Sequence, residues 1–261
     1  MTPDGETVKA PGALVVSAYC TCPDITATAT PDLELPGNGR LLYVDLGGGR
    51  NRLGGSALAQ VYGQIGNDCP DVDDVGLVGR AFAAVQTLLA AGLVSAGHDR
   101  SDGGLITTLL EMAFAGNCGL SVDLPAPPKS DALAVLFNEE LGAVLQVRHS
   151  DSDDVLNALE HAGLGACSQL IGTVTDSDAI RVRHAGRRVF DANRVSLQQA
   201  WSETTRDLQA LRDERAIDAG ERRNVRDRSK RHQVQQSHQV ERGRVPHCAQ
   251  QLRIGEADRV V

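Results

Sequence analysis

Apolar positions in this chain fall into two patterns. Short, nearly continuous apolar runs bounded by Gly, Pro or Asp predict buried strands at 13–20 (ALVVSAYC), 41–46 (LLYVDL), 120–124 (LSVDL) and 142–150 (GAVLQVRHS). A shorter run, 94–101, predicts a strand leading into a loop. Elsewhere apolar residues recur at i, i+3 and i+4, which puts them on one face of a helix. That spacing predicts helices over 75–92, 103–117, 151–163 and 196–213, with a short one over 56–66. In the first helix Phe82, Val85, Leu88 and Leu89 are expected on the buried face, and in the second Leu109, Leu110 and Met112. Acidic residues in the first turn of 151–163 suit the helix dipole. Residues 167–192 read as a strand followed by a hairpin around Ala185-Gly186. Strands and helices alternate, so the chain reads as one mixed α/β (α+β) domain over 13–213, after a short extension over 1–12.

The periodic pattern stops near Asp213. Residues 1–212 carry 15 basic and 26 acidic side chains, whereas 213–261 carry 11 and 8. Apolar residues beyond 213 are sparse and isolated, too few to offset the entropy of ordering the segment. The expectation is a disordered tail over 214–261, whose removal leaves the folded part unchanged. The sudden rise in Arg, Gln, His and Val there is what a shifted reading frame of the same gene would produce.

Composition narrows the function. Hydrophobic residues make up 41% of the 261 positions, enough for a buried core. Aromatics are only 3% and the net charge is −8, which argues against single-stranded nucleic acid, DNA and acidic membrane as partners. No apolar run approaches the ~20 residues that span a bilayer. The six cysteines include one CxC pair, Cys20 and Cys22, without the second pair or His cluster of a zinc site. They read as reduced thiols of a cytoplasmic protein.

Three segments carry candidate chemistry. Residues 45–56 (DLGGGRNRLGGS) join a strand to a helix through five glycines, with Ser56 as the expected N-cap. Free N–H groups of the helix's first turn, with Arg50 and Arg52 nearby, suit a phosphate, with Gly54, Gly55 and Ser56 as the expected cofactor-binding residues. A turn that merely packs closely is the equal alternative, since neither a Walker A loop nor GxGxxG is present. Residues 98–104 (HDRSDGG) place Asp99, Ser101 and Asp102 at the start of a helix. The carboxylates read either as helix caps or as hard oxygen ligands for Mg²⁺ bridging a nucleotide phosphate. His98 reads more readily as a structural histidine than as a general base. Residues 137–142 (FNEELG) carry the pair Glu139 and Glu140, expected to be solvated surface carboxylates.

Taken in order, NRLGGSALAQVYGQIG, PDVDD, HDRSDGGL, EMAFAGNCG and LFNEELGAVLQV resemble phosphoribosylformylglycinamidine synthase of the long, single-chain type. The resemblance runs over about residues 4–213. It covers the second of that family's two domains similar to the C-terminal domain of aminoimidazole ribonucleotide synthetase. The implied fold is that domain's mixed sheet packed by helices. The implied activity is an ATP- and glutamine-dependent ligase of purine biosynthesis. ATP activates the amide oxygen of formylglycinamide ribonucleotide, and ammonia from a glutaminase domain displaces it. The resemblance further implies that Asp99 is a Mg²⁺ ligand and Ser101 a nucleotide contact. The implied cofactors are ATP and Mg²⁺. The implied partners are the synthase's remaining domains, an upstream nucleotide-binding half and a downstream glutaminase. None of the six cysteines matches the glutaminase nucleophile, so the chain alone is expected to be inactive. The alternative is a non-catalytic scaffold domain holding a structural nucleotide.

Overall fold

The structure, a computed structural model, describes residues 15–218 apart from 23, 35 and 125–130, and the side chains of 15–213 within that span. Seven strands form one sheet: β1 (Gly39–Asp45), β2 (Ala96–Asp99), β3 (Gly119–Leu124), β4 (Gly142–Arg148), β5 (Ser168–Thr175), β6 (Ala179–His184) and β7 (Arg187–Asn193). Their order is β2-β4-β1-β5-β3-β6-β7. The β3–β6 pairing is parallel and the other five are antiparallel. The helices are α1 (Ala57–Val61), α2 (Val75–Ala90), α3 (Gly104–Gly116), α4 (Ala132–Phe137), α5 (Ser152–His161) and α6 (Arg194–Asp218). The expected mixed sheet packed by helices is the observed architecture. The expected extension over 1–12 lies outside the described residues, and so does the expected disordered tail apart from 214–218, which is corrected: α6 continues through those residues to Asp218.

Successive side chains of a strand point to opposite faces, and both faces of this sheet are covered. Leu41 and Tyr43 of β1 join Leu105, Leu109 and Met112 of α3 in one core. Leu42 joins Leu145 and Val147 of β4, Ala81 and Leu88 of α2, and Val155 and Leu159 of α5 in the other. This is why LLYV reads as a continuous apolar run: a central strand buried on both faces needs no polar alternation.

Three expectations on local structure are corrected. The run 13–20 forms no strand within its described part, residues 15–20, and Val15, Val16 and Tyr19 are exposed. An apolar run becomes a strand only where a sheet edge offers its backbone groups partners. The edge at β2 is instead met by another stretch, with Gly97 N–H donating to Thr30 O at 2.9 Å. Phe82 is 68% exposed. The buried stripe of α2 runs through Leu77, Ala81, Ala84 and Leu88, and Phe82 lies one residue, or about 100° of helix, off it. Helix α4 was not expected, because its apolar stretch ALAVLF is short; Asp131 caps it, accepting from Leu133 N–H at 2.9 Å. The hairpin at Ala185-Gly186 is as expected, with both residues at positive φ (49° and 74°), the primed turn that suits a twisted ribbon.

Candidate functional site

Strand register brings the three sequence-nominated segments to one rim of the sheet. Asp45, the last residue of β1, pairs with Gly142, the first of β4. Asp99, the last of β2, pairs with Ala143. The glycine-rich turn after β1, the loop after β2 and the Asn138–Leu141 approach to β4 therefore meet at the same end.

The approach to β4 holds the rim together. Glu140 is 1% exposed and faces the similarly buried Arg52. Arg52 donates to it three times, from Nε to Oε1 at 2.6 Å, from Nη2 to Oε2 at 2.8 Å and from its backbone N–H to Oε1 at 3.1 Å. Arg52 Nη2 also reaches Asp73 Oδ2 at 2.9 Å and Asp71 O at 3.1 Å. Burial alone would raise the Glu140 carboxyl, but the hydrogen bonds and charge of Arg52, with the charge of Arg100, hold it below the usual range. The same hydrogen bonds to Glu140 raise Arg52 further. Arg100 is buried one strand away. It donates to Glu140 O, to Leu141 O at 2.9 Å, to Asp45 Oδ1 at 2.9 Å and to the Tyr43 hydroxyl. Burial pushes the Tyr43 phenol up, against the opposing charge of Arg100.

Glu139 is partly buried, and one of its oxygens accepts from two loops at once: Ala57 N–H and Gly103 N–H, each at 2.8 Å. Asn138, fully buried, donates to Asn51 Oδ1 at 3.0 Å. The expectation of solvated carboxylates at 139 and 140 is thus corrected: Asn138, Glu139 and Glu140 each grip the turn at 51–57. A buried charge needs an opposite partner, and the candidate arginines were visible in the sequence, but no spacing rule links positions 52 and 140. Two glycines make the close approach possible. A Cβ at Gly47 would lie 2.6 Å from Glu140 Cβ. Gly104 has φ +72°, and a Cβ there would come within 2.6 Å of backbone atoms of Phe137 and Asn138.

The residues expected to bind a phosphate divide into two groups. Gly54 N–H donates to Asp68 O at 2.8 Å, Gly55 N–H to Ile65 O at 2.6 Å and Ser56 N–H to Leu53 O at 3.3 Å. Ser56 Oγ caps Ala59 N–H at 3.2 Å and is buried. Gly54, Gly55, Ser56 and Arg52 are thus engaged in closing the turn on itself, and in the first turn of α1 the Ala57 N–H is taken by Glu139 and the Ala59 N–H by Ser56. Close packing, the alternative reading, describes this turn.

The loop after β2 is different. Asp99 projects a carboxylate 77% exposed, and Ser101 and Asp102 are exposed beside it. Neither carboxylate caps α3, whose N-cap is Gly103 without a side-chain hydrogen bond. The loop's course is nevertheless rigidly set. Asp99 O accepts from Thr108 Oγ1 at 3.1 Å, Arg100 N–H donates to Gly142 O at 2.8 Å and Gly104 N–H to Ser101 O at 2.9 Å. His98 bridges Asp99 Oδ1 at 3.2 Å and Glu111 Oε2 at 3.1 Å, a structural placement between two carboxylates. Among the described residues, no group of three or more His, Cys, Asp or Glu side chains could hold a metal ion. Mg²⁺, however, is commonly held by one or two carboxylates together with phosphate oxygens and waters. A single exposed carboxylate on a fixed strand end fits such an ion as a partial ligand set.

This chain has counterparts among known proteins. The chain belongs to the family described as AIR synthase related protein, C-terminal domain, whose model matches residues 39–185, from the start of β1 to the hairpin after β6. Beyond the family, it is similar to particular enzymes. It is 53% identical over 209 residues to the probable phosphoribosylformylglycinamidine synthase, chloroplastic/mitochondrial, of Arabidopsis thaliana, covering 80% of this chain and 15% of that one. It is 50% identical over 226 residues to the phosphoribosylformylglycinamidine synthase of Homo sapiens, covering 85% and 17%. The chain thus spans 15–17% of the length of these curated relatives. T. maritima PurL, solved in complex with ATP, shares the fold with a TM-score of 0.52 at 15% identity, over 65% of this chain and 27% of that one. Among the described residues no helix is long and apolar enough to cross a membrane.

Proposed function

We propose that this chain supplies one wall of an ATP·Mg²⁺ site to a phosphoribosylformylglycinamidine synthase, the ATP- and glutamine-dependent ligase that converts formylglycinamide ribonucleotide to the amidine in purine biosynthesis. The observation that carries the reading is the contrast within one rim: Asp99, Ser101 and Asp102 are exposed on a loop held by backbone hydrogen bonds, while Arg52, Arg100, Glu139 and Glu140 around them are engaged. The identity of 50–53% to such synthases supports this choice of reaction.

In this reading Asp99 is the Mg²⁺ ligand and Ser101 contacts the nucleotide. Mg²⁺, when bound, neutralises phosphate charge. The chain's own residues orient and hold. Asp99 is aimed by β2, by Thr108 at its carbonyl and by His98 at its carboxylate. The remaining ligands, the formylglycinamide ribonucleotide pocket and the ammonia source come from the rest of the synthase, including a nucleotide-binding half and a glutaminase domain, in the cytoplasm or an organelle.

A titration of the chain with Mg·ATP, followed by amide chemical shifts, tests this. Shifts should centre on 99–104. The dissociation constant should be high micromolar or weaker, roughly −5 kcal/mol or less favourable. Asp99→Asn should remove the Mg²⁺-dependent part. Binding that ignores Asp99→Asn overturns the assignment, and a sub-micromolar constant overturns the partial-site reading. A second reading, a nucleotide held for structure alone, rests on the same exposed but incomplete ligand set. Asp99→Asn in a complete synthase separates the two. Loss of kcat with an unchanged Tm supports a reacting nucleotide; loss of Tm with loss of retained nucleotide supports a structural one.

A further inference from the structure

We propose that Glu139 is a positioning residue that couples the glycine-rich turn to the Asp99–Ser101 loop, so that the two move as one body. This rests on the reading of that loop as a nucleotide wall and adds a residue to it. One carboxylate oxygen of Glu139 accepts both Ala57 N–H, at the start of α1, and Gly103 N–H, at the start of α3, at 2.8 Å each. Among the contacts at the rim, this one bridges the two loops through a single atom.

The neighbours of Glu139 explain why its role is separable. Glu140 neutralises Arg52, and its backbone carbonyl accepts from Arg100. Asn138 ties Asn51 to the end of α4 through Ala134 O at 2.7 Å. Those two residues set the course of the chain. Glu139 is half-buried between the two loops and takes N–H groups that would otherwise be open to water or to a ligand oxygen. Its charge makes both hydrogen bonds stronger than a neutral acceptor would. Gly103, at φ +83°, leads directly from the exposed Ser101-Asp102 pair, so its anchoring limits how far those side chains wander.

Glu139→Ala and Glu139→Gln in the full 261-residue chain test the coupling. In the ligand-free protein, hydrogen exchange at the Ala57 and Gly103 amides should speed up together in Glu139→Ala, by roughly tenfold or more. Glu139→Gln, which keeps an acceptor but not the charge, should fall between. The Mg·ATP dissociation constant should weaken in the same order, by about tenfold for alanine, while Tm stays within a few degrees. Loss of protection at only one amide, or at neither, overturns the bridge. Loss at both with an unchanged Mg·ATP constant overturns the positioning role. A wild-type chain that takes up no Mg·ATP overturns the nucleotide reading and the positioning role with it. Hydrogen exchange in the ligand-free protein still decides whether the bridge exists.

Discussion

At the scale of single residues, the rim depends on buried charge. Glu140 and Arg52 face each other with almost no solvent contact, and such a pair tolerates loss of one partner poorly. Glu140→Ala should cost about 3–5 kcal/mol, because it leaves Arg52 charged and under-paired; chemical denaturation measures it. The pair also sets a pH dependence. The Glu140 carboxyl lies below its ordinary value in the folded state. Its contribution is therefore complete above the ordinary carboxylate range, near 4.3, and is lost as pH falls through the depressed folded value. The gap in Tm between wild type and Glu140→Gln should be flat from about pH 8 to 6 and close below about pH 4.5. A gap that widens in acid would contradict the assignment. Cysteines give a second residue-scale test. Cys20, Cys22 and Cys69 are exposed, whereas Cys118 is buried. Burial pushes the Cys118 thiol up to about 11, against the charge of Arg194. A thiol reagent at about pH 8 should label the three exposed residues and spare Cys118 until the protein unfolds, as mass spectrometry of peptides would show. Equal labelling of Cys118 and Cys69 would mean that the α3–β3 turn opens readily.

At the scale of elements, each helix is set by the face it buries and the turn that starts it. Asp74 caps α2, accepting from Leu77 N–H at 3.0 Å. Leu88 on the buried stripe is 2% exposed. Leu88→Ala should cost about 2–5 kcal/mol, and Phe82→Ala less than about 0.5 kcal/mol. The reverse order would show that α2 is rotated. Before α3, the Gly103-Gly104 pair performs a different task. Gly104 combines positive φ with backbone closer than any Cβ could tolerate. Gly104→Ala should cost about 1–3 kcal/mol from backbone strain alone, and more from displacing residues 137 and 138. It should also disturb the Glu139 bridge, since Glu139 directly follows the residues that a Cβ at Gly104 would displace. Helix α6 crosses α3, with Trp201 and Phe114 ring centroids 6.0 Å apart. It begins at Arg194, two residues before the sequence pattern placed it. Arg194 donates to Asp178 Oδ1 at 2.7 Å and to Asn117 Oδ1 at 3.1 Å, contacts that belong to distant loops.

For the whole molecule, the chain carries one domain's worth of core and, in the proposed reading, one side of a ligand site. If Mg·ATP binds with a constant near ~0.2 mM, a ~2 mM excess stabilises the fold by about 1.4 kcal/mol. That corresponds to a rise in Tm of roughly 3–6 °C for a domain of this size. Differential scanning fluorimetry would read it, and Asp99→Asn should abolish it. A rise of more than about 15 °C would mean that the chain encloses the nucleotide by itself. Exposed apolar side chains in and after α1, Val61, Tyr62 and Ile65, follow the turn at 51–57 that the rim clasps. Their exposure accords with a chain that covers only 15–17% of its curated relatives.

Periodicity along the chain was sufficient for the strands at 41–46, 120–124 and 142–150 and for the long helices, because burial against a sheet imposes a local repeat that a sequence displays. The turn at Ala185-Gly186 was legible for the same reason: its chemistry lies within neighbouring residues. Asp99 and Ser101 were nominated by their setting between a strand and a helix, and by resemblance. What the sequence did not contain was partnership across distance. Whether 13–20 finds a sheet edge, whether Phe82 meets the core, and whether Gly54, Gly55 and Ser56 offer their amides outward all depend on segments far away in the chain. Glu140 read as surface because a carboxylate is costly to bury alone; Arg52, 88 positions earlier, removes that cost only once β1 and β4 lie side by side. Local repeats are written by the backbone's own geometry, whereas charge pairing and amide satisfaction are decided by which strands become neighbours, and only the tertiary structure decides that.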